Sequence, residues 1–153
     1  MDKTNELRLA DLWPAMEEQL NNGKSVKFEP RGTSMLPMLR PGKDTVLLKK
    51  APAMLKKNDL PLYKRADGHF VLHRIVSVQN GKYVMCGDNQ WRLEYNILPE
   101  QILAVTQGFF RGKKYISCSN FFYRIYCEAR TDLLKVRILA SKIKRKIKGS
   151  KIF

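Results

Sequence analysis

The sequence predicts a mainly β fold, a small antiparallel sheet system or partly closed barrel, with a short helix before it and a long basic helix after it. Three observations predict this. Between residues 24 and 115 short extended segments alternate with turn residues, and no helical period intervenes. Within that stretch Asn80-Gly81 lies between β-branched and aromatic runs, a strong hairpin signal because the primed turns need positive φ. On either side of the stretch, apolar residues recur at spacings of three and four, the period of a helix with one buried face.

The elements follow in order. Leu9, Leu12, Trp13, Met16 and Leu20 share a face of a helix over residues 7–22, and Asn21-Asn22-Gly23 supplies its stop. Residues 25–29 are extended and end at Pro30-Arg31-Gly32. Residues 44–49 follow Pro41-Gly42, and residues 60–65 precede Asp67-Gly68. Residues 69–78 and 82–86 flank the Gln79-Asn80-Gly81 turn, and residues 102–110 turn at Arg111-Gly112 into residues 113–117. Residues 120–148 then read as a helix. Phe122, Tyr126, Ala129, Leu133, Val136, Ala140, Ile143 and Ile147 draw one apolar stripe, Ser119 or Asn120 can cap its start, and Gly149 can end it. The chain divides into an N-terminal helix (1–23), a β domain (24–117) and a basic amphipathic helix (118–153).

Composition narrows the function classes. The 153 residues suit one domain with appendages, and a hydrophobic content of 44% can build a core, which argues against wholesale disorder. No apolar run approaches the roughly 20 residues of a membrane-spanning helix. Residues 1–13 hold three acids and no apolar stretch, so no secretory signal is expected. The cysteines Cys86, Cys118 and Cys127 are odd in number and lack CxxC spacing, which argues against a disulfide scaffold or zinc site and suits a reducing compartment. No cofactor or metal is expected. Of the net charge of +15, residues 111–153 carry +11, from 13 basic and two acidic side chains. Whatever the charge serves, the tail serves it: nucleic-acid phosphates or an anionic lipid surface.

The segment Arg31-Gly32-Thr33-Ser34-Met35-Leu36-Pro37 carries the densest chemistry. A Gly before a Ser and a Pro after it make a tight turn that presents a hydroxyl and backbone N–H groups toward one place, the requirement of serine catalysis. His73 lies within the apolar run Val71-Leu72-His73-Arg74-Ile75-Val76, where a histidine needs a partner. Gly87-Asp88-Asn89-Gln90 follows the 82–86 strand directly.

In this order the three segments resemble the signal peptidase I superfamily of serine peptidases, which includes the autoproteolytic domains of LexA-type repressors. Ser34-Met35-Leu36-Pro37 resembles its nucleophile box, and Pro41-Gly42-Lys43-Asp44-Thr45-Val46 the strand that follows. His73-Arg74-Ile75-Val76 is similar to the base box, Gly87-Asp88-Asn89 to the "G-D-N" box, and Ala104-Val105-Thr106-Gln107-Gly108-Phe109 to the closing strand. The resemblance covers residues 25–114 and implies a coiled, partly open antiparallel β-barrel. Histidine at position 73, where bacterial-type signal peptidases and LexA-like proteins have lysine, resembles the Ser-His branch of the endoplasmic-reticulum and archaeal type.

That resemblance implies a serine endopeptidase in which Ser34 attacks the scissile carbonyl, His73 is the base and Asp88 orients the imidazole. Gly32, Thr33, Met35 and Pro37 would form the oxyanion and substrate-binding turn. Glu94 is the candidate second acid, standing where the branch carries an Asp-Asp-Arg-like run. Gly32 lacks the hydroxyl that some relatives aim at the oxyanion, leaving more of that work to the Ser34 N–H.

Signal peptidases carry a membrane anchor just before the nucleophile box, whereas residues 7–20 are too short and too charged for one, and no helix-turn-helix precedes it. The expectation is a cytoplasmic peptidase acting on a peptide or protein, peripheral on the inner membrane face if its tail binds lipid. Ile143 and Ile147 among Lys142, Lys144, Arg145, Lys146 and Lys148 make a basic amphipathic end suited to an anionic membrane surface. Nucleic acid is the less favoured partner, because Phe121, Phe122, Tyr123 and Tyr126 suit docking on the β domain better than base stacking. Two other classes stay open: a catalytically silent peptide-binding module tethered to membrane, and a basic nucleic-acid-binding regulator.

Overall fold

The structure is a computed structural model describing residues 3–149, with side chains described for residues 9–148. Helix α1 (Lys3–Asn21) packs Leu9, Trp13, Met16 and Leu20 against the β strands. Leu12, assigned to that face by its spacing, points to solvent instead. Gly23, at φ +75°, donates its N–H to the Leu20 carbonyl and ends the helix at the expected place.

Nine strands form two antiparallel sheets. The first has the order β1 (Val26–Phe28), β2 (Asp44–Lys49), β8 (Ile102–Arg111), β3 (Pro61–Lys64), β4 (Phe70–Leu72), and β9 (Lys114–Ser117) also pairs with β8. The ten-residue β8 is the spine: β2 pairs with residues 105–111, β3 with residues 102–105 and β9 with residues 108–111. The second sheet has the order β5 (Arg74–Gln79), β6 (Lys82–Cys86), β7 (Glu94–Ile97). Irregular registers at Leu47/Leu48 and Leu62/Tyr63 in the first sheet, and at Ile75/Ser77 and Tyr83/Met85 in the second, bend and twist the strands. Among the described residues these ladders form two sheets, with no closed barrel.

The β5–β6 hairpin turns at Asn80 (φ +50°) and Gly81 (φ +73°), with Gln79 paired to Lys82, as the Asn-Gly signal predicts. The single strand expected over residues 69–78 is two. Leu72 is the last residue of β4 paired to β3, Arg74 is the first of β5 paired to β6, and His73 is where the chain passes from one sheet to the other. Strand β7 was not predicted, because Glu94-Tyr95-Asn96-Ile97 lacks an apolar alternation. It forms by pairing Ile97 with Tyr83 and Glu94 with Met85.

Two cores hold this together. One collects Leu20, Met35, Leu39, Val46, Leu48 and Phe109 beneath the first sheet. The other joins Tyr63, Val71 and Val105 of the first sheet to Ile75, Tyr83 and Met85 of the second. Burial of such side chains stabilises by roughly 1.5–3 kcal/mol each.

Helix α2 (Phe121–Gly149) is capped by Asn120, whose Oδ1 accepts the Tyr123 N–H at 3.2 Å. It docks through Tyr123, Cys127, Thr131 and Leu134. Most of the apolar stripe read from the sequence is a different face: Phe122, Leu133, Val136, Ile143 and Ile147 are exposed, as is Phe121, and of that stripe Tyr126 is half-buried and packs on the first core. The docked face is the more polar one because it meets buried polar partners, described below. No helix among the described residues is long and apolar enough to cross a membrane.

Candidate active site

The turn carrying Ser34 lies between β1 and β2 and is pinned at both ends. Gly32 runs at φ +94°, where a side chain would be strained. After Ser34, Met35, Met38 and Leu39 are buried in the first core, and the Leu39 N–H donates to the Met35 carbonyl at 2.9 Å. Arg40 then clamps Asp44, with Nη2 2.7 Å from Oδ1 and its N–H donating to Oδ2 at 2.9 Å, while Arg111 Nη2 donates to the Met38 carbonyl at 2.6 Å. Burial works to raise the Asp44 pKa, but the hydrogen bonds from Arg40 outweigh it, and the carboxyl is held below its ordinary value. Ser34 is left half-buried beside open space.

His73 is buried, 3% exposed, and its ring is held on one side. Nδ1 lies 3.0 Å from Glu94 Oε1 and 3.4 Å from the Tyr63 hydroxyl. Glu94 is gripped in turn by Arg65, with Nε donating to Oε2 at 2.7 Å and Nη2 to Oε1 at 2.5 Å, a bidentate pair. Burial would raise the Glu94 pKa, but the hydrogen bonds from His73 and Arg65 prevail and bring it down to about 2. Burial and then the Glu94 charge push the Tyr63 hydroxyl well up, so it keeps its proton. A carboxylate on Nδ1 selects the tautomer with the proton there, which leaves the Nε2 lone pair free to accept another.

Ser34 and His73 line one cleft of about 360 Å³, walled by Phe28, Leu62 and Phe70. A larger groove of about 630 Å³ runs from Arg65 past Trp91 and Arg92, and the two share Arg65 and Gln90. Gly32, Thr33 and Met35 line the smaller cleft. Pro37 does not: it is exposed and outside the lining.

Asp88 requires a correction. It was expected on the imidazole, where Glu94 stands instead. Asp88 is buried with Arg74, whose Nε and Nη2 donate to its two carboxylate oxygens at 2.8 and 2.7 Å, and the Tyr126 hydroxyl donates to Oδ2 at 3.0 Å. Arg130 and Arg137 of α2 both donate to its backbone carbonyl. Arg74 Nη1 also reaches the Tyr123 hydroxyl, Cys127 Sγ and the Asn58 carbonyl. The crossing explains the exchange: Arg74 opens β5 opposite Cys86, two residues before Asp88, whereas His73 stands between the sheets, so Arg74 rather than His73 meets Asp88.

The rest of the Gly87-Asp88-Asn89 segment supports the Ser34 turn from behind. The Asn89 N–H donates to the Ser34 carbonyl at 2.8 Å, and Asn89 Nδ2 to the Thr33 carbonyl at 3.1 Å. Gly87 packs so closely that a Cβ there would lie 2.7 Å from the Ser34 carbonyl oxygen. Helix α2, Asp88, Asn89 and Ser34 thus form one connected series of contacts.

Tyr63, Arg65 and Arg74 escaped the sequence reading. Arg65 and Tyr63 read as ordinary strand residues, and only their place opposite Glu94, itself set by the unpredicted β7, gives them meaning. Cys86, Cys118 and Cys127 are free, and burial pushes the Cys86 and Cys118 thiols up to about 11. Among the described residues no group of three or more His, Cys, Asp and Glu side chains converges as a metal site would. No family model matches this chain, and no curated protein and no solved structure matches it either.

Proposed function

We propose that the chain is a serine endopeptidase similar to signal peptidases of the Ser-His branch, working with a Ser34–His73–Glu94 set in place of the expected Ser34–His73–Asp88. The two bulged sheets are read as its coiled, partly open barrel. The observation that carries the proposal is the pairing of a cleft shared by Ser34 and His73 with an imidazole held at Nδ1 by a clamped carboxylate.

The chemistry follows from those positions. Ser34 Oγ attacks the scissile carbonyl while His73 Nε2 takes its proton, and Glu94 stabilises the imidazolium that forms. Backbone N–H groups of the turn hold the oxyanion. The imidazolium gives its proton to the leaving amine, and water, activated by the same nitrogen, releases the acyl group from Ser34. The joined cleft and groove suit an extended peptide crossing the Ser34 turn.

The test is cleavage of a diverse peptide mixture read by mass spectrometry. Wild type should cut at a restricted set of sites, and Ser34→Ala and His73→Ala should not, with melting temperatures nearly unchanged for Ser34→Ala. Equal turnover by Ser34→Ala would overturn the proposal. Peptide retention without cleavage would favour the silent binding module.

A further inference from the structure

We infer that the exposed apolar stripe of α2 lies flat on an anionic lipid bilayer, with the lysines beside it at the headgroups. The inference does not depend on the peptidase reading. At 1.5 Å per residue the 29 residues of α2 span roughly 43 Å. At 100° per residue, Phe122, Ile125, Leu133, Val136, Ile143 and Ile147 fall within about a quarter of the helix circumference. Each is between 49% and 78% exposed. The face that docks on the sheets, through Tyr123, Cys127, Thr131 and Leu134, lies on nearly the opposite side, so the stripe is left without a cover among the described residues.

Charge chooses the occupant. Around the last turns Lys144 and Lys148 lie to one side of the stripe and Lys146 to the other, all exposed. Long lysine stems can lie along an apolar surface while their ammonium groups reach phosphates. The two acids of the helix, Asp132 at the edge of the stripe and Glu128 beyond it, are both paired with Lys57 Nζ at 3.1 Å, and Asn58 Nδ2 donates to Glu128. Arg130 and Arg137 point inward to Asp88. What faces outward is an apolar strip bordered by cations, the pattern of a helix lying in the membrane interface. A second copy of α2 would bring like charges together, and a nucleic acid would use the cations but give the apolar residues nothing to bury in.

The experiment is flotation of the full chain with vesicles of phosphatidylcholine alone or mixed equally with phosphatidylglycerol, from low to physiological salt. The protein should float with the mixed vesicles and keep much of that binding at physiological salt, because apolar insertion is not screened. Ile125→Ser, Leu133→Ser, Val136→Ser and Ile143→Ser combined should lower partitioning by roughly tenfold or more with an unchanged thermal transition. Should that variant fail to fold, Phe122→Trp gives a second reading, since its added emission should shift to the blue on the mixed vesicles. Failure of the wild type to float, or no blue shift, would overturn the inference. So would a four-fold variant that floats like wild type, or one that converts a dimer to a monomer. Duplex DNA binding with a steep linear log–log salt dependence and no vesicle binding would assign the cations to nucleic acid instead. The readout is lipid partitioning, so it stands or falls separately from peptide cleavage.

Discussion

Glu94 Oε1 lies 3.0 Å from His73 Nδ1, and the contact joins β7 of the second sheet to the residue between the two sheets. Arg65, just after β3 of the first sheet, holds the same carboxylate. The Glu94 carboxylate is therefore positioned from both sides. Glu94→Gln should lower kcat/KM by roughly 10²–10⁴-fold, because the amide can favour the wrong imidazole tautomer. Steady-state cleavage kinetics check this, and an unchanged kcat/KM would remove Glu94 from the mechanism.

Glu94 also predicts a pH dependence of stability. Its folded pKa is about 2 against an ordinary value of 4.5. The unfolded chain therefore binds the extra proton first as pH falls. The stabilisation is fully present above about pH 4.5 and is lost as pH falls through about 2. Within that window Glu94→Gln should flatten the slope of unfolding free energy against pH by up to about 1.4 kcal/mol per unit. Urea unfolding at a series of acid pH values measures it.

Asp88 should behave in the opposite sense. Its ion pair with Arg74 is buried, with side chains 1% and 2% exposed, and removing one charge leaves the other uncompensated. Asp88→Asn should cost about 3–5 kcal/mol and lower the melting temperature by roughly ten degrees. Activity per folded molecule should fall far less than in Glu94→Gln. Calorimetry beside kinetics distinguishes the two carboxylates, and the reverse ranking would restore Asp88 to the imidazole.

Gly87→Ala tests the support behind Ser34, the proposed nucleophile. The new Cβ would meet the Ser34 carbonyl oxygen at 2.7 Å and Gln90 Oε1 at 3.0 Å, so the turn must shift. Overpacking of this kind costs about 1–3 kcal/mol, and a displacement near 1 Å at a reacting group can cost about 10²-fold in rate. We expect a modest fall in stability and a large fall in kcat, read by thermal melts and turnover on the same preparation.

The sequence made the local structure legible where turn chemistry is local. Asn80-Gly81 defines the β5–β6 hairpin, and Pro41-Gly42 precedes β2 at the expected residue. Ser34 and His73 were legible as candidates because turn and apolar-run contexts are written in adjacent residues. The partner of His73 was only half legible, since it depends on β7, which forms by pairing and not by its own pattern. The docking face of α2 was misread for a related reason. Apolar periodicity counts Phe122, Leu133 and Val136, whereas the docked face is selected by hydrogen bonds from Tyr126, Arg130 and Arg137 to a residue some forty positions earlier.

The crossing of the chain at His73 makes assembly of the two sheets a condition for the site to exist. Ser34 belongs to a turn of the first sheet, Glu94 to a strand of the second, and the imidazole to neither. A chain with only one sheet formed has either a hydroxyl without an oriented base or an acid with nothing to orient. Under the proposed peptidase function the nascent or partly opened protein is thus unarmed, and a local opening between the sheets, which needs less free energy than global unfolding, would disarm it again.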